Sequence, residues 1–160
     1  VALASLEHVY VEKINLMPGA RRRTATTTAN KAFCLLVSGG FTFFASRVAE
    51  TVGFQGDRGN RLLDNGSVLT GEVGMPILGR EAKLEAMDDA AFANGLNRLD
   101  ALAMGDGAND LAMIEAAGLG LAVHAKPIVA DAADAAIEVS DLTAALYFQG
   151  YTDSEIVWRD

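Results

Sequence analysis

The sequence is poor in cysteine, proline, basic residues and long apolar runs. Its one cysteine, Cys34, cannot close an internal disulfide, which fits a reducing compartment. With 3 prolines in 160 residues, it holds no proline-rich linker. No unbroken apolar stretch nears the roughly 18 residues that a membrane span needs. Val1 to Glu7 has no basic region ahead of its apolar residues, so this start does not read as a secretory signal. Lys and Arg total 13 against 21 Asp and Glu, a formal charge of −8. Such a surface repels phosphate backbones and weighs against nucleic acid as a partner. These features point to a cytoplasmic domain with neither a membrane nor a nucleic-acid partner.

What is present suits one folded domain: 51% of residues are hydrophobic and 21% charged, enough to bury a core. The one biased patch, Arg21 to Thr28, reads as a weakly held helix with a solvated face, because threonine is a mediocre helix former. A basic anion site is the other reading of that patch. Apolar spacing predicts helices over residues 1–14, 20–30, 42–52, 79–93 and 109–117, with a last one from Asp141 to Phe148. Short apolar runs predict buried strands at 33–38, 99–104, 119–123 and 136–139. Residues 61–70 read as a β-hairpin around Asn65-Gly66. Strands alternating with helices imply an α/β fold: a parallel sheet with helices on both faces. In such sheets ligands sit beyond the carboxyl ends of the strands, which points to the loops after Val37, Met104 and Val123.

Ser38-Gly39-Gly40 follows a strand and precedes a helix. A hydroxyl with free amides at a helix start suits a phosphoryl group; a plain turn with Ser38 as helix cap fits as well. Gly105-Asp106-Gly107-Ala108-Asn109-Asp110 crowds two carboxylates and a carboxamide into a tight loop. Hard oxygen ligands so close together suit Mg²⁺; an Asp-Gly turn with Asn109 or Asp110 as a cap competes, weakened by the crowding of like charges. Lys83 opposes the helix dipole near a helix start, and reads either as a solvated lysine or as a contact to an anion. His124 reads as a polar rim residue and Cys34 as a small core residue. His8 has no partner in the sequence.

The three loops in this order resemble the haloacid dehalogenase superfamily and, within it, the phosphoserine phosphatases. The likeness runs from about Asn15 to Tyr151. It rests on Ser38-Gly39-Gly40-Phe41, on the hairpin leading to Lys83, and on Gly105 to Asp110 followed by Leu111-Ala112-Met113-Ile114 and His124-Ala125-Lys126-Pro127. The resemblance implies a haloacid-dehalogenase-like Rossmannoid core over residues 15–151 with a β-hairpin insertion, a cap remnant over 1–14 and a tail over 152–160. It implies Mg²⁺-dependent hydrolysis of O-phospho-L-serine to serine and phosphate, in serine biosynthesis, by way of a phosphorylated aspartate. By that resemblance Ser38 and Gly39 bind the phosphoryl group, Lys83 offsets negative charge, Asp106 holds the metal, and Asn109 and Asp110 orient the site.

One departure is large. The family's first strand ends in Asp-x-Asp-x-Thr, which supplies the nucleophile and the acid/base. Here no aspartate precedes Asp57 and no Asp-x-Asp occurs. The expectation is therefore an amino-terminally truncated chain, inactive alone, in which the strands beginning near Phe33 and Leu99 close up on each other to leave a smaller sheet. Two alternatives stand beside it. One is a non-catalytic remnant that binds Mg²⁺ or phosphate or needs a partner chain. The other is a phosphatase of a different small phosphomonoester.

Overall fold

A computed structural model describes residues 1–159. Helix α1 (Leu3–Lys13) and α2 (Ala20–Ala29) precede strand β1 (Leu35–Phe41) and α3 (Thr42–Val52). Then come β2 (Gly56–Asn60), a hairpin of β3 (Leu62–Asp64) and β4 (Leu69–Val73), and α4 (Arg80–Ala93). The remainder is β5 (Leu102–Gly105), α5 (Leu111–Ala116), β6 (Leu119–Val123), α6 (Pro127–Ala132), β7 (Ala135–Ile137) and α7 (Ala144–Phe148). Among the described residues, no helix is long and apolar enough to cross a membrane.

Strands β5, β6 and β7 form a parallel sheet in that order. Successive side chains on a strand point to opposite faces, and the core divides accordingly. Ala103 and Ala122 pack with Met87, Ile114, Ala117 and Val129 under α4, α5 and α6. Leu102, Met104, Leu121 and Val123 pack with Ile137 and Ala145 on the other face, under α7. Strand β6 runs through the middle, with Gly120 to Val123 all buried.

The sheet does not close into a smaller one. Strand β1 pairs only with β2, in parallel register from Leu35 opposite Gly56 to Val37 opposite Arg58. Among the described residues, no backbone hydrogen bond joins β1 to β5. Closing up would require the helices above and below both strands to slide together, and those helices are already packed on their own strands. As a result, no residue of β1 is buried, although the strand lies inside a layered α/β domain.

The threonine run also departs from the sequence reading. Thr24, Thr26 and Thr27 are fully buried, not solvated. The hydroxyls of Thr26 and Thr27 can be buried because they have partners. Thr27 Oγ1 donates to Arg23 O (3.0 Å), one helical turn back. Thr26 Oγ1 accepts from Val157 N (2.8 Å), which ties the residues after α7 to this helix. Cys34, expected in the core, is buried 3.3 Å from Thr27 Oγ1. Strand β2 and helix α6 were not legible in sequence; Gly56-Asp57-Arg58-Gly59-Asn60 carries no apolar alternation. The hairpin forms as expected. Asp64 and Asn65 side chains accept from the amides of Gly66 (2.8 Å) and Val68 (3.0 Å). Helix α1 buries no side chain. It leans on α3 through Glu7–Arg47 (2.5 Å) and Tyr10–Thr51 (3.2 Å).

Candidate active site at the carboxyl ends of β1 and β5

The loop after β5 is built around Asp110. Its carboxylate is buried and takes three hydrogen bonds: from the amides of Asp106 (3.0 Å) and Gly107 (3.1 Å), and from Lys83 Nζ (2.5 Å). Each donor replaces water that burial takes from the carboxylate. Gly105 makes this geometry available. A Cβ there would lie 2.4 Å from three atoms of Asp110, so any side chain would push the carboxylate out. Asp110 thus folds the loop, and the turn reading of its sequence position describes much of what it does.

Asp106 is left different by the same arrangement. Its side chain is exposed and has no partner among the described residues. No group of three or more His, Cys, Asp and Glu among those residues could cage a metal ion. The free carboxylate fits a cation that needs one or two protein carboxylates and keeps water or substrate oxygens for the rest of its shell, as Mg²⁺ does.

Lys83 lies in the first turn of α4 and is mostly buried. It pairs with Asp110, whose carboxylate is buried, whereas the Asp106 side chain is exposed. Lys83 nevertheless lines a cavity of about 450 Å³ together with Asp106, Asp110 and His124. It also lines a smaller one of about 130 Å³ with Ser38, Gly39 and Asn109. The loops therefore meet around Lys83. Ser38 Oγ accepts from Gly40 N (3.0 Å) and does not cap α3. Asn109 is exposed, and its Nδ2 lies about 4.0 Å from the position of a Gly39 Cβ. His124 behaves as a rim residue, with Nε2 2.8 Å from Ser140 O. His8 pairs with Glu12 one turn along α1, far from these loops in sequence.

Asn60 went unnoticed in the sequence. It is buried at the end of β2, where Nδ2 donates to Gly39 O (2.9 Å) and Oδ1 accepts from Leu78 N (2.7 Å). It thereby fastens the Ser38-Gly39-Gly40 loop to the segment that starts α4, and hence to Lys83. A lone asparagine in a polar, glycine-rich stretch gives no sign of this.

Comparison with known proteins agrees with this geometry. Residues 1–115 match the haloacid dehalogenase-like hydrolase family. The chain is 40% identical over 146 residues to a phosphoserine phosphatase of Polaromonas sp., covering 89% of this chain and 62% of that protein. Among solved structures, a substrate-bound phosphoserine phosphatase complex superposes with a TM-score of 0.85 at 33% identity, over 92% of this chain and 70% of that one. A probable phosphoserine phosphatase from Vibrio cholerae, in unliganded form, superposes with a TM-score of 0.82 at 32% identity, over 91% of this chain and 47% of that one. The chain spans between about a third and two-thirds of the length of curated relatives that it matches. With this sheet, these loops and these matches, the chain belongs to the haloacid dehalogenase-like hydrolase family.

Proposed function

We propose that this chain carries the phosphate- and metal-holding part of a phosphoserine phosphatase site, one that hydrolyses O-phospho-L-serine to serine and phosphate in the cytoplasm. The observation that carries the reading is the meeting of two loops around Lys83: Ser38 and Gly39 on one side, Asp106 and Asp110 on the other. The resemblance to phosphoserine phosphatases supports the choice of substrate.

In this reading the Ser38 hydroxyl and the Gly39 amide bind phosphoryl oxygens. Asn109 orients the substrate from the opposite loop. The Lys83 ammonium, fixed by Asp110, offsets the negative charge gathered on the phosphoryl group. Asp106 would hold Mg²⁺, which supplies charge neutralisation at the phosphoryl oxygens. None of these residues is placed as the attacking carboxylate. Asp110 is engaged with three donors, and Asp106 is assigned to the metal. The 160-residue chain alone therefore turns over phosphoserine negligibly.

The test is to precede the chain with a strand ending in Asp-x-Asp-x-Thr and assay phosphoserine beside phosphothreonine and a sugar phosphate, with Mg²⁺. Gain of phosphoserine hydrolysis supports the reading. Gain on the sugar phosphate alone assigns the other small-phosphomonoester reading. No gain with any of the three, in a folded protein, removes the catalytic reading and leaves the binding remnant.

A further inference from the structure

The small cavity beside the Ser38-Gly39-Gly40 loop has two cations on its wall, Lys83 and Arg80. They differ in what they can still bind. Lys83 is mostly buried, and its ammonium is held by the buried Asp110 carboxylate. Its charge is therefore largely balanced before any ligand arrives. Arg80 opens α4, is exposed, and has no hydrogen bond or ion pair among the described residues. Its whole guanidinium, with N–H donors set in a rigid fork, is available.

The sequence of α4 explains why Arg80 is left free. Residues three and four apart face each other on a helix, and adjacent ones do not. The residues that face Arg80 in this way are Lys83 and Leu84, whereas the carboxylate of Glu81 is adjacent to it. No acid of α4 is thus set to pair with Arg80 along the helix. Like charges at such spacing repel, so Arg80 and Lys83 together favour a ligand with negative charge for both. Their Cβ atoms are separated by about 5–6 Å, a span that one small ligand with two anionic groups can bridge.

We propose that Arg80 is a specificity-determining residue of this site and binds the carboxylate of the substrate. The inference rests on the reading of the site as one for phosphoserine. In O-phospho-L-serine the carboxylate hangs on the carbon next to the one that carries the phosphoryl ester, so the two anionic groups lie a few bonds apart. With phosphoryl oxygens at Ser38, Gly39 and Lys83, the carboxylate meets Arg80, which can take it by two parallel N–H···O bonds. The order of burial agrees: the shielded Lys83 serves the phosphoryl group, and the exposed Arg80 serves the part of the ligand nearer solvent. A phosphomonoester without a carboxylate leaves Arg80 unpaired. Arg80 touches no reacting atom; it acts on which phosphomonoester is held.

The test is a ³¹P NMR titration of the intact 160-residue chain and of its Arg80→Gln variant, with Mg²⁺, against inorganic phosphate, O-phosphoethanolamine and O-phospho-L-serine. Phosphoethanolamine keeps the phosphoryl and ammonium groups and lacks the carboxylate. The parent should bind phosphoserine about tenfold more tightly than phosphoethanolamine, the worth of hydrogen bonds to a charged group. Arg80→Gln should abolish that preference and leave Kd for inorganic phosphate and for phosphoethanolamine within about threefold of the parent values. Because Arg80 is exposed and unpartnered among the described residues, the variant should unfold at the parent's Tm. Equal binding of phosphoserine and phosphoethanolamine by the parent overturns the assignment and leaves the phosphate site standing. A variant that loses all three ligands to the same degree also overturns it, since Arg80 then acts as a general charge on the phosphoryl group. A parent that binds none of the three fails the reading of the site itself, and the inference with it.

Discussion

Lys83 Nζ lies 2.5 Å from Asp110 Oδ1, and both side chains are largely removed from solvent. This pair joins α4 to the loop after β5. It sets where the lysine's charge faces, because the remaining Asp110 oxygen is occupied by the amides of Asp106 and Gly107.

Asp110→Asn should therefore act mainly on stability. Removing one charge of a buried pair strands the other, at a cost of about 3–5 kcal/mol. Asparagine retains one acceptor, so about 3 kcal/mol is expected, a fall in Tm of roughly 6–12 °C for a chain of this size. Thermal unfolding followed by circular dichroism checks it. A Tm within about 2 °C of the parent would mean that the pair contributes little.

Gly105→Ala tests the same loop from its backbone. The added methyl would overlap Asp110, forcing the carboxylate away from its amides at a cost of about 1–3 kcal/mol. Exchange of the Asp106 and Gly107 amides should accelerate at least tenfold, while β6 stays protected. Unchanged exchange at those two amides would contradict the packing described.

Asn60→Ala should loosen the link between the Ser38-Gly39-Gly40 loop and the start of α4. It leaves Gly39 O and Leu78 N without the partners they have now, costing about 2 kcal/mol or more. The Leu78 amide should exchange faster and inorganic phosphate should bind more weakly. Faster exchange with unaltered phosphate binding would show that Asn60 shapes the loop without serving the site.

Asp106→Asn should leave folding intact, since the side chain is exposed and unpartnered. Divalent-cation affinity should drop at least tenfold, about 1.4 kcal/mol, because the amide keeps the shape and loses the charge. Titration with Mn²⁺, followed by electron paramagnetic resonance, reads this directly. Equal affinity in the two proteins would remove Asp106 from the metal site.

Much of this arrangement was legible in the sequence where residue type and position both carried a signal. Phe44, Val48 and Val52 announced α3, Asn65-Gly66 the hairpin, and the apolar run from Leu119 the buried strand β6. The loops of the site could be located because Ser38, Asp106 and Asp110 follow strand ends. What escaped reading depended on partners far away in the chain. Strand β2 is a strand because Leu35 lies beside Gly56, although its own residues are polar. Thr26 and Thr27 of α2 are buried because Val157 N and a backbone carbonyl partner their hydroxyls. The choice of Asp110 over Asp106 as the partner of Lys83 turns on which carboxylate folds under Gly105, which spacing alone does not reveal.

The central claim is that this chain holds a phosphate- and metal-binding half-site without an attacking carboxylate. One ³¹P NMR titration tests it: O-phospho-L-serine and Mg²⁺ with the 160-residue chain, following the position, width and area of the phosphoserine resonance. The account predicts a shift or broadening that grows with protein and is lost in Ser38→Ala, with no conversion to inorganic phosphate above the protein-free rate, since losing a nucleophile typically costs on the order of 10⁴ to 10⁶ in kcat. Conversion at an ordinary enzymatic rate, about 1 to 10³ s⁻¹, would contradict it by showing that a residue of this chain attacks, and an unperturbed resonance would contradict it by showing that the half-site does not bind.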